Sequence, residues 1–165
     1  MAEERLWAPW RLEYIRGPKA DECIFCRAVE SDDDEGNYVV HRGEHAFVIL
    51  NAYPYNNGHV MIAPYEHQPT IDPLGEPTLL ELMTLSQRSM SALRQAYEPE
   101  GFNTGMNIGK VAGAGIEEHV HLHVVPRWGG DTNFMPVTGG TKVLPESLED
   151  TYAKLLPAFD ALTSS

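Results

Sequence analysis

The chain has 165 residues, 42% of them hydrophobic, and it carries 12 lysines and arginines against 24 aspartates and glutamates. This length and composition predict one domain with a substantial core. The net charge of −12 disfavours nucleic acid and anionic membranes as general partners, because both repel an acidic surface. An anionic small molecule would need a local site of histidines, a few basic side chains and backbone N–H groups.

Residues 1–20 are predicted to form an N-terminal arm, with two tryptophans inside residues 7–11. We interpret the arm as a helix that fills a groove on the body of the protein or on a neighbouring subunit, with direct contact to a ligand as the alternative. The arm lacks a basic start followed by a long apolar segment, and the chain has no apolar stretch of about 20 residues. We therefore expect a cytoplasmic protein without a membrane span.

The only cysteines, Cys23 and Cys26, form a Cys-x-x-Cys pair. In a reducing compartment such a pair is more often a metal-binding or redox element than a structural disulfide. Residues 31–36 follow as an acidic run whose spacing does not match a calcium-binding loop. We expect this run to be a solvated loop.

Three β-rich segments come next, at residues 38–41, 46–50 and 59–64. The short polar turn between the first two predicts a hairpin, and the Asn-rich and Pro-containing residues 51–58 predict a second turn before the third strand. The expected result is an antiparallel meander. His45 and His59 lie at strand edges, where a single histidine is more typical of a structural or solvated position than of a catalytic one.

Helical spacing of apolar residues predicts one long helix from about Thr78 to Tyr97, and Thr78 and Glu81 match a capping box at its start. A fourth strand is predicted at residues 102–108, and a final amphipathic helix from about Pro145 to Leu162. The predicted organisation is therefore an arm at 1–20, a domain at 21–140 and a C-terminal helix at 141–165 that packs on the domain.

Histidine alternates with aliphatic residues at His119, His121 and His123, directly after a Gly-rich loop at residues 109–115. On a fifth strand the three histidines would share one face, and the intervening aliphatic side chains would share the other. Neutral imidazole can attack phosphorus to form a reactive phosphoramidate, while loop N–H groups stabilise phosphoryl oxygens. The competing interpretation is a zinc site, because two histidines two residues apart on a strand can bind zinc.

Residues 119–125 resemble the His-φ-His-φ-His-φ-φ signature of the histidine triad superfamily, where φ is apolar. The resemblance covers roughly residues 23–136, since residues 50–64 are similar to the family's strand, nucleotide-contacting turn and Gly-His strand. Residues 7–11 and 130–136 resemble a bacterial branch related to diadenosine tetraphosphate phosphorylases and hydrolases. The resemblance implies an α+β, HIT-like fold, with an antiparallel sheet of about five strands, one long helix and a C-terminal helix. It also implies a homodimer whose sheet continues across the interface.

The resemblance gives each triad histidine a separate role. It implies that His121 is the nucleophile that takes the nucleoside monophosphate, that His123 holds phosphoryl oxygens, and that His119 supports the orientation of its neighbour. Asn51 matches a position that contacts the ribose hydroxyls in the family. The nucleotide-contacting residues implied in this way are Asn51, Asn107, Gly113, Gly115, His121 and His123.

Some members of the superfamily carry zinc, bound by an N-terminal Cys-x-x-Cys, a histidine after the third strand and the first triad histidine. The matching residues in this chain are Cys23, Cys26, His67 and His119. Two thiolates and two imidazoles would form a closed tetrahedral site, which is structural rather than catalytic. The alternative is a pair of reduced, packed cysteines with His67 on the surface.

The expected function is that of a nucleotide hydrolase or nucleotidyltransferase. It would cleave an adenosine polyphosphate through a nucleotidyl-histidine intermediate, with water or phosphate as the acceptor. Three alternatives stay open: a nucleoside phosphoramidate hydrolase, a nucleotide-binding protein with negligible turnover, and a metal-dependent hydrolase that uses the histidines as catalytic ligands.

Overall fold

The computed structural model describes residues 22–133 and 144–163. Within these ranges the chain forms a five-stranded antiparallel sheet, in the order β1-β2-β3-β5-β4, and three α-helices. The elements are α1 (Ile24–Glu30), β1 (Val39–Arg42), β2 (Ala46–Leu50), β3 (Val60–Pro64), α2 (Glu76–Tyr97), β4 (Gly101–Met106), a short 3₁₀ helix (Lys110–Ala112), β5 (Leu122–Arg127) and α3 (Leu148–Thr163). The predicted arm at residues 1–20 lies outside the described residues, and the domain boundaries stay a prediction. None of the described helices is long and apolar enough to cross a membrane.

Strands β2 and β3 are apolar on both faces, and every one of their residues is buried. Successive side chains of a strand point to opposite faces. Val48 and Ile62 therefore pack in the core under α2 and α3, whereas Phe47 and Met61 pack with Phe25 of α1 on the other face. The larger core lies under the two long helices, and the smaller one is formed with the short helix α1.

The first four predicted strands and the two long helices are confirmed, with boundaries that differ from the prediction by three residues or fewer, whereas the fifth strand begins only at Leu122. The acidic residues 31–36 lie in a loop, as predicted. Helix α1 was not predicted, because its seven residues are too few to show helical periodicity. Its Phe25 and Ala28 are fully buried, so tertiary packing rather than intrinsic propensity stabilises this helix.

The capping box predicted at Thr78 is wrong. Helix α2 begins at Glu76 after Gly75, so Thr78 is already inside the helix. The Glu81 carboxylate instead accepts hydrogen bonds from three consecutive N–H groups of the β1–β2 turn, those of Glu44, His45 and Ala46. Burial opposes ionisation, but these three donors together lower the pKa of Glu81 below its ordinary value. Glu81 thus ties the first hairpin to the long helix.

Candidate active site and metal cluster

The three triad histidines turn toward the same face of the sheet, although strand β5 begins only at Leu122. The expectation of a regular strand is therefore wrong for His119 and His121, which precede β5. The alternation itself holds, because the rings of His119 and His121 lie 5.0 and 4.8 Å from the ring of Phe25. The intervening side chains pack in the core on the opposite face; they are Val120, Leu122 and Val124.

His121 is held in one tautomer by the backbone. Its Nδ1 lies 2.8 Å from the carbonyl oxygen of His119, and a carbonyl oxygen only accepts, so Nδ1 carries the proton. Nε2 of the neutral ring then keeps its lone pair. His121 is 6% exposed, and burial lowers its pKa, so the ring stays neutral near pH 7. A buried neutral imidazole with one defined lone pair is a suitable nucleophile.

His123 is held by another histidine rather than by the backbone. The N–H of Tyr55 donates to Nδ1 of His59 at 3.0 Å, so the proton of neutral His59 lies on Nε2. This Nε2–H donates to Nδ1 of His123 at 2.9 Å. Nε2 of neutral His123 therefore carries a proton, which is the form that donates to a phosphoryl oxygen.

His59 is 1% exposed and contacts His123, so it is a buried structural partner of the triad, a contact that the sequence interpretation did not include. A signal was present, since Gly58 and His59 lie in the segment that resembles the family. Tyr55 was also missed. Its ring is 4.5 Å from the ring of His59 and stacks on His123 at 5.8 Å, with 46% of the residue exposed. Tyr55 therefore covers these two histidines on the solvent side.

The remaining predicted nucleotide contacts lie at different distances from this group. Asn51 is next to it: its Nδ2 is 3.5 Å from Nε2 of His59, and its Oδ1 accepts from the N–H of Tyr53. Asn107 is half-buried and directly follows β4, whose last residue pairs with the first residue of β5. Gly113 and Gly115 lie on the exposed loop before the triad. These three residues flank the histidines along the chain and the sheet, whereas Asn51 contacts one of them directly.

A second cluster contains the four predicted metal ligands. One ligand atom from each of four residues lies within 4.8 Å of the others, and the residues are Cys23, Cys26, His67 and His119. Cys26 Sγ is 3.1 Å from His67 Nδ1, which is 3.2 Å from His119 Nδ1. Tetrahedral zinc, with bonds of about 2.0–2.3 Å, needs ligand atoms about 3.3–3.8 Å apart. The four side chains fit such an ion after small adjustments.

The protonation of these ligands also suits a metal. His119 Nε2 lies 2.9 Å from the carbonyl oxygen of Pro64, so Nε2 carries the proton and the lone pair of Nδ1 faces the two cysteines. Burial lowers the pKa of His119 and keeps it neutral, and a carbonyl partner for the second ring nitrogen is usual for a metal ligand. Burial and then Cys23 raise the pKa of Cys26 to about 11, and a divalent cation would favour its thiolate.

The metal cluster and the candidate nucleophile share two contacts. His119 provides a ring nitrogen to the cluster and its carbonyl oxygen to His121. Phe25 of α1 lies between Cys23 and Cys26 in the sequence and packs its ring against both histidines. An ion that orders Cys23, Cys26 and His119 would therefore also fix the surroundings of His121.

Known proteins are similar to this chain in sequence and in fold. The HIT domain family matches residues 34–130. A relative from Mycobacterium tuberculosis named AP-4-A phosphorylase is 40% identical over 157 residues, which cover 90% of this chain and 80% of the relative. A Zn-bound histidine triad family protein from Mycobacterium smegmatis has a TM-score of 0.68 at 26% identity, with 87% of this chain and 96% of that one covered.

A hypothetical histidine triad nucleotide-binding protein from Sulfolobus tokodaii is equally similar in structure, with a TM-score of 0.68 at 26% identity. The match covers 86% of this chain and 94% of that one. The five-stranded sheet described here and the alternating histidines agree with both comparisons. The chain belongs to the HIT, or histidine triad, family.

Proposed function

We propose that the protein is a nucleotidyl-transfer enzyme that cleaves an adenosine polyphosphate of the diadenosine tetraphosphate class through a nucleotidyl-His121 intermediate. The observation that carries the proposal is the hydrogen bond from Nδ1 of His121 to the His119 carbonyl, which leaves the Nε2 lone pair for attack on phosphorus. Membership of the HIT family and 40% identity to a relative named AP-4-A phosphorylase support the substrate class.

The reaction consists of two displacements at one phosphorus atom. In the first, Nε2 of His121 forms a P–N bond and the bridging P–O bond breaks, so that a nucleoside polyphosphate anion leaves. In the second, an acceptor oxygen attacks the same phosphorus and the P–N bond breaks, which returns the neutral histidine. Water as the acceptor releases a nucleoside monophosphate and a proton, and inorganic phosphate gives a nucleoside diphosphate.

The neighbouring side chains bind and orient the reacting groups. His123 donates its Nε2–H to a phosphoryl oxygen, and His59 holds His123 in the required tautomer. Asn51 contacts the ribose, a role supported by its position beside His59. The residues proposed to lie near the phosphates are Asn107, Gly113 and Gly115.

We also propose that Cys23, Cys26, His67 and His119 bind one structural zinc ion. The ligand distances, the lone pair of His119 and the Zn-bound relative from Mycobacterium smegmatis support this assignment. Zinc would supply a fixed tetrahedral crosslink, because four protein ligands leave no position for substrate. A cytoplasmic location, where thiols stay reduced, agrees with this role of the cysteines.

A homodimer that extends the sheet through β4 is proposed as the assembly. β4 is an outer strand, and its residues Asn103, Thr104 and Gly105 are exposed. The other outer strand, β1, is contacted by α3, because the Tyr152 hydroxyl donates to the Val39 carbonyl. Among the described residues β4 pairs with β5 alone, and an outer strand edge of this kind is a template for pairing with a second chain.

The test is to incubate the full chain with diadenosine tetraphosphate, with and without inorganic phosphate, and to identify the products. Products of phosphorolysis or hydrolysis, together with an acid-labile and base-stable adduct on His121, support the proposal. Tight mononucleotide binding with negligible turnover would contradict it. Turnover confined to nucleoside phosphoramidates would contradict the substrate class but keep the histidine chemistry.

A further inference from the structure

We propose that Asp131 is a positioning residue whose carboxylate, through Asn56, holds the Tyr55 turn against His59 and so keeps His123 in the form that donates to phosphate. The inference rests on the proposed function for its catalytic part. It gives a role to the Gly130–Asp131 segment after the triad, which the proposed reaction does not otherwise use.

The Asp131 carboxylate is almost fully buried and has a donor at each oxygen. Oδ2 accepts from Asn56 Nδ2 at 2.7 Å and from Arg127 Nε at 2.6 Å, and Oδ1 accepts from Arg127 Nη2 at 2.8 Å. Its side chain is 8% exposed, and the N–H of Trp128 adds a further donor to Oδ2. Arg127 also donates to Asn103 on β4 at 2.7 Å, so the carboxylate is anchored to two strands.

Asn56 connects this anchor to the turn. The residue is 7% exposed, and its Nδ2 donates both to Asp131 and to the Pro126 carbonyl at 3.2 Å. Its own carbonyl accepts from the N–H of His59 at 3.2 Å. Asn56 is therefore fixed on one side by β5 and the segment after it, and on the other by the start of β3.

The residue before Asn56 is the one that sets the tautomer of His59. The N–H of Tyr55 donates to His59 Nδ1, and this bond leaves the proton on His59 Nε2 for His123. If Asn56 loses its anchor, the Tyr55 N–H moves away and His59 Nδ1 is open to protonation. Nε2 of His59 would then present a lone pair to His123 and reverse the direction of this hydrogen bond.

The same segment offers a matched control. Glu100 Oε1 accepts from the N–H of Gly129 at 2.8 Å, two residues before Asp131. This contact anchors the segment after β5 but does not involve the turn at residues 51–58. Loss of Glu100 should therefore loosen the segment without the specific effect on His59 and His123.

The experiment compares Asp131→Ala, Asn56→Ala, the double variant and Glu100→Ala in the full chain. For Asp131→Ala we expect kcat with diadenosine tetraphosphate to fall about 10- to 100-fold with a much smaller change in KM, because a misplacement of about 1 Å can cost about 100-fold. The double variant should be no slower than the slower single variant, since both changes break one connection. Glu100→Ala should keep the native kcat.

Ring ¹⁵N chemical shifts of His59 and His123 provide a readout that is independent of turnover. In the native protein we expect one defined tautomer for each ring, and in Asp131→Ala a shift toward a mixture. Unchanged ring signals in Asp131→Ala and Asn56→Ala would overturn the inference even if kcat fell. An equal loss of kcat in Glu100→Ala would also overturn it.

Misfolding of a variant and failure of the proposed function can each be distinguished from failure of the inference on Asp131. If Asp131→Ala does not fold, Asp131→Asn and Asn56→Ala are measured in its place, and native ring signals in both variants contradict the inference. If the native protein shows no turnover of dinucleoside polyphosphates, the proposed function fails, while the ring signals still decide whether Asp131 positions His59.

Discussion

His119 and His123 stand at the two ends of one triad and are prepared for opposite kinds of partner. At His119, Nε2 donates to the Pro64 carbonyl and the lone pair of Nδ1 faces two thiols. At His123, Nδ1 accepts from His59, so the proton lies on Nε2. One end thus presents a lone pair, which suits a cation, and the other presents an N–H, which suits an anion. The hydrogen-bond partner of the second ring nitrogen assigns the role of each histidine.

The largest effect is expected at His121, which lies between these two ends. His121→Ala removes the nucleophile, and we expect kcat to fall about 10⁴-fold or more. Product analysis with diadenosine tetraphosphate measures the loss. His45→Ala is the control, because this histidine is partly exposed at a strand edge outside the site. Native turnover by His121→Ala would refute the proposed mechanism.

Removal of the metal tests the proposed role of His119 as a ligand of a cation. We expect about one zinc ion per chain in freshly purified, untagged protein, and chelation should lower the free energy of unfolding by about 4 kcal/mol relative to protein with free zinc at about 1,000 times Kd. The shift in Tm and the metal content are measured together. The exposed His67 offers a milder variant, and His67→Ala should lower the zinc content. Protein that contains no zinc, or a Tm that chelation leaves unchanged, contradicts the assignment.

Loss of His59 tests the proposed role of His123 as a donor to an anion. His59→Phe keeps a ring against Tyr55 but removes the donor to His123, and we expect kcat to fall about 100-fold with the zinc content unchanged. Steady-state kinetics and metal analysis of the same preparation test this separation. Zinc loss in this variant would show that the surroundings of His119 and His123 are not independent.

The smallest effect is expected for Glu81, which lies away from His119 and His123 and fixes the first hairpin. Glu81→Gln replaces a charged acceptor of three N–H bonds by a neutral one, and we expect a loss of about 1–3 kcal/mol in the free energy of unfolding at pH 7. Urea denaturation measures this difference. Activity per folded molecule should stay native.

The pH dependence of that loss has a defined sign. The pKa of Glu81 is lowered in the folded chain, so its stabilising contribution is complete above the unfolded pKa of about 4.3 and disappears as the pH falls through the lower folded value. The difference between native protein and Glu81→Gln should therefore shrink in that acidic range. A difference that grows with acid would contradict the assigned role of the carboxylate.

The sequence predicted the strands and the long helices because their apolar residues recur at the spacing of a strand or a helix, which places them on a buried face. It also placed the triad on one face, since alternation of apolar and polar residues survives even where the chain is not a regular strand. It could not predict helix α1, which has two turns and is stabilised by contacts of Phe25 with residues far along the chain. Nor could it find the partner of Glu81, because local spacing favoured a cap and the three turn N–H groups are brought close only by the tertiary fold.

The candidate site shows the same division. The family signature identified the triad and the four candidate metal ligands, and the structure brings these four residues together. The resemblance covered Gly58 and His59, but it did not identify His59 as the partner of His123, because the two residues are 64 positions apart and meet only in the folded sheet. The Asp131–Asn56 bond spans 75 positions and depends on how two loops meet. Contacts of this kind follow from the assembled sheet and not from the spacing of residues.

Zinc binding at the proposed site would also constrain the order in which the chain assembles during its synthesis. Cys26 and His67 are 41 positions apart, whereas Cys23 and His119 are 96 positions apart. A nascent chain therefore exposes three residues of the cluster, Cys23, Cys26 and His67, well before His119 leaves the ribosome. Until then a bound ion would keep one coordination position open to water or to competing thiols. With zinc bound as proposed, the site would close only when His119, which precedes β5, is available, so α1 would complete its packing late.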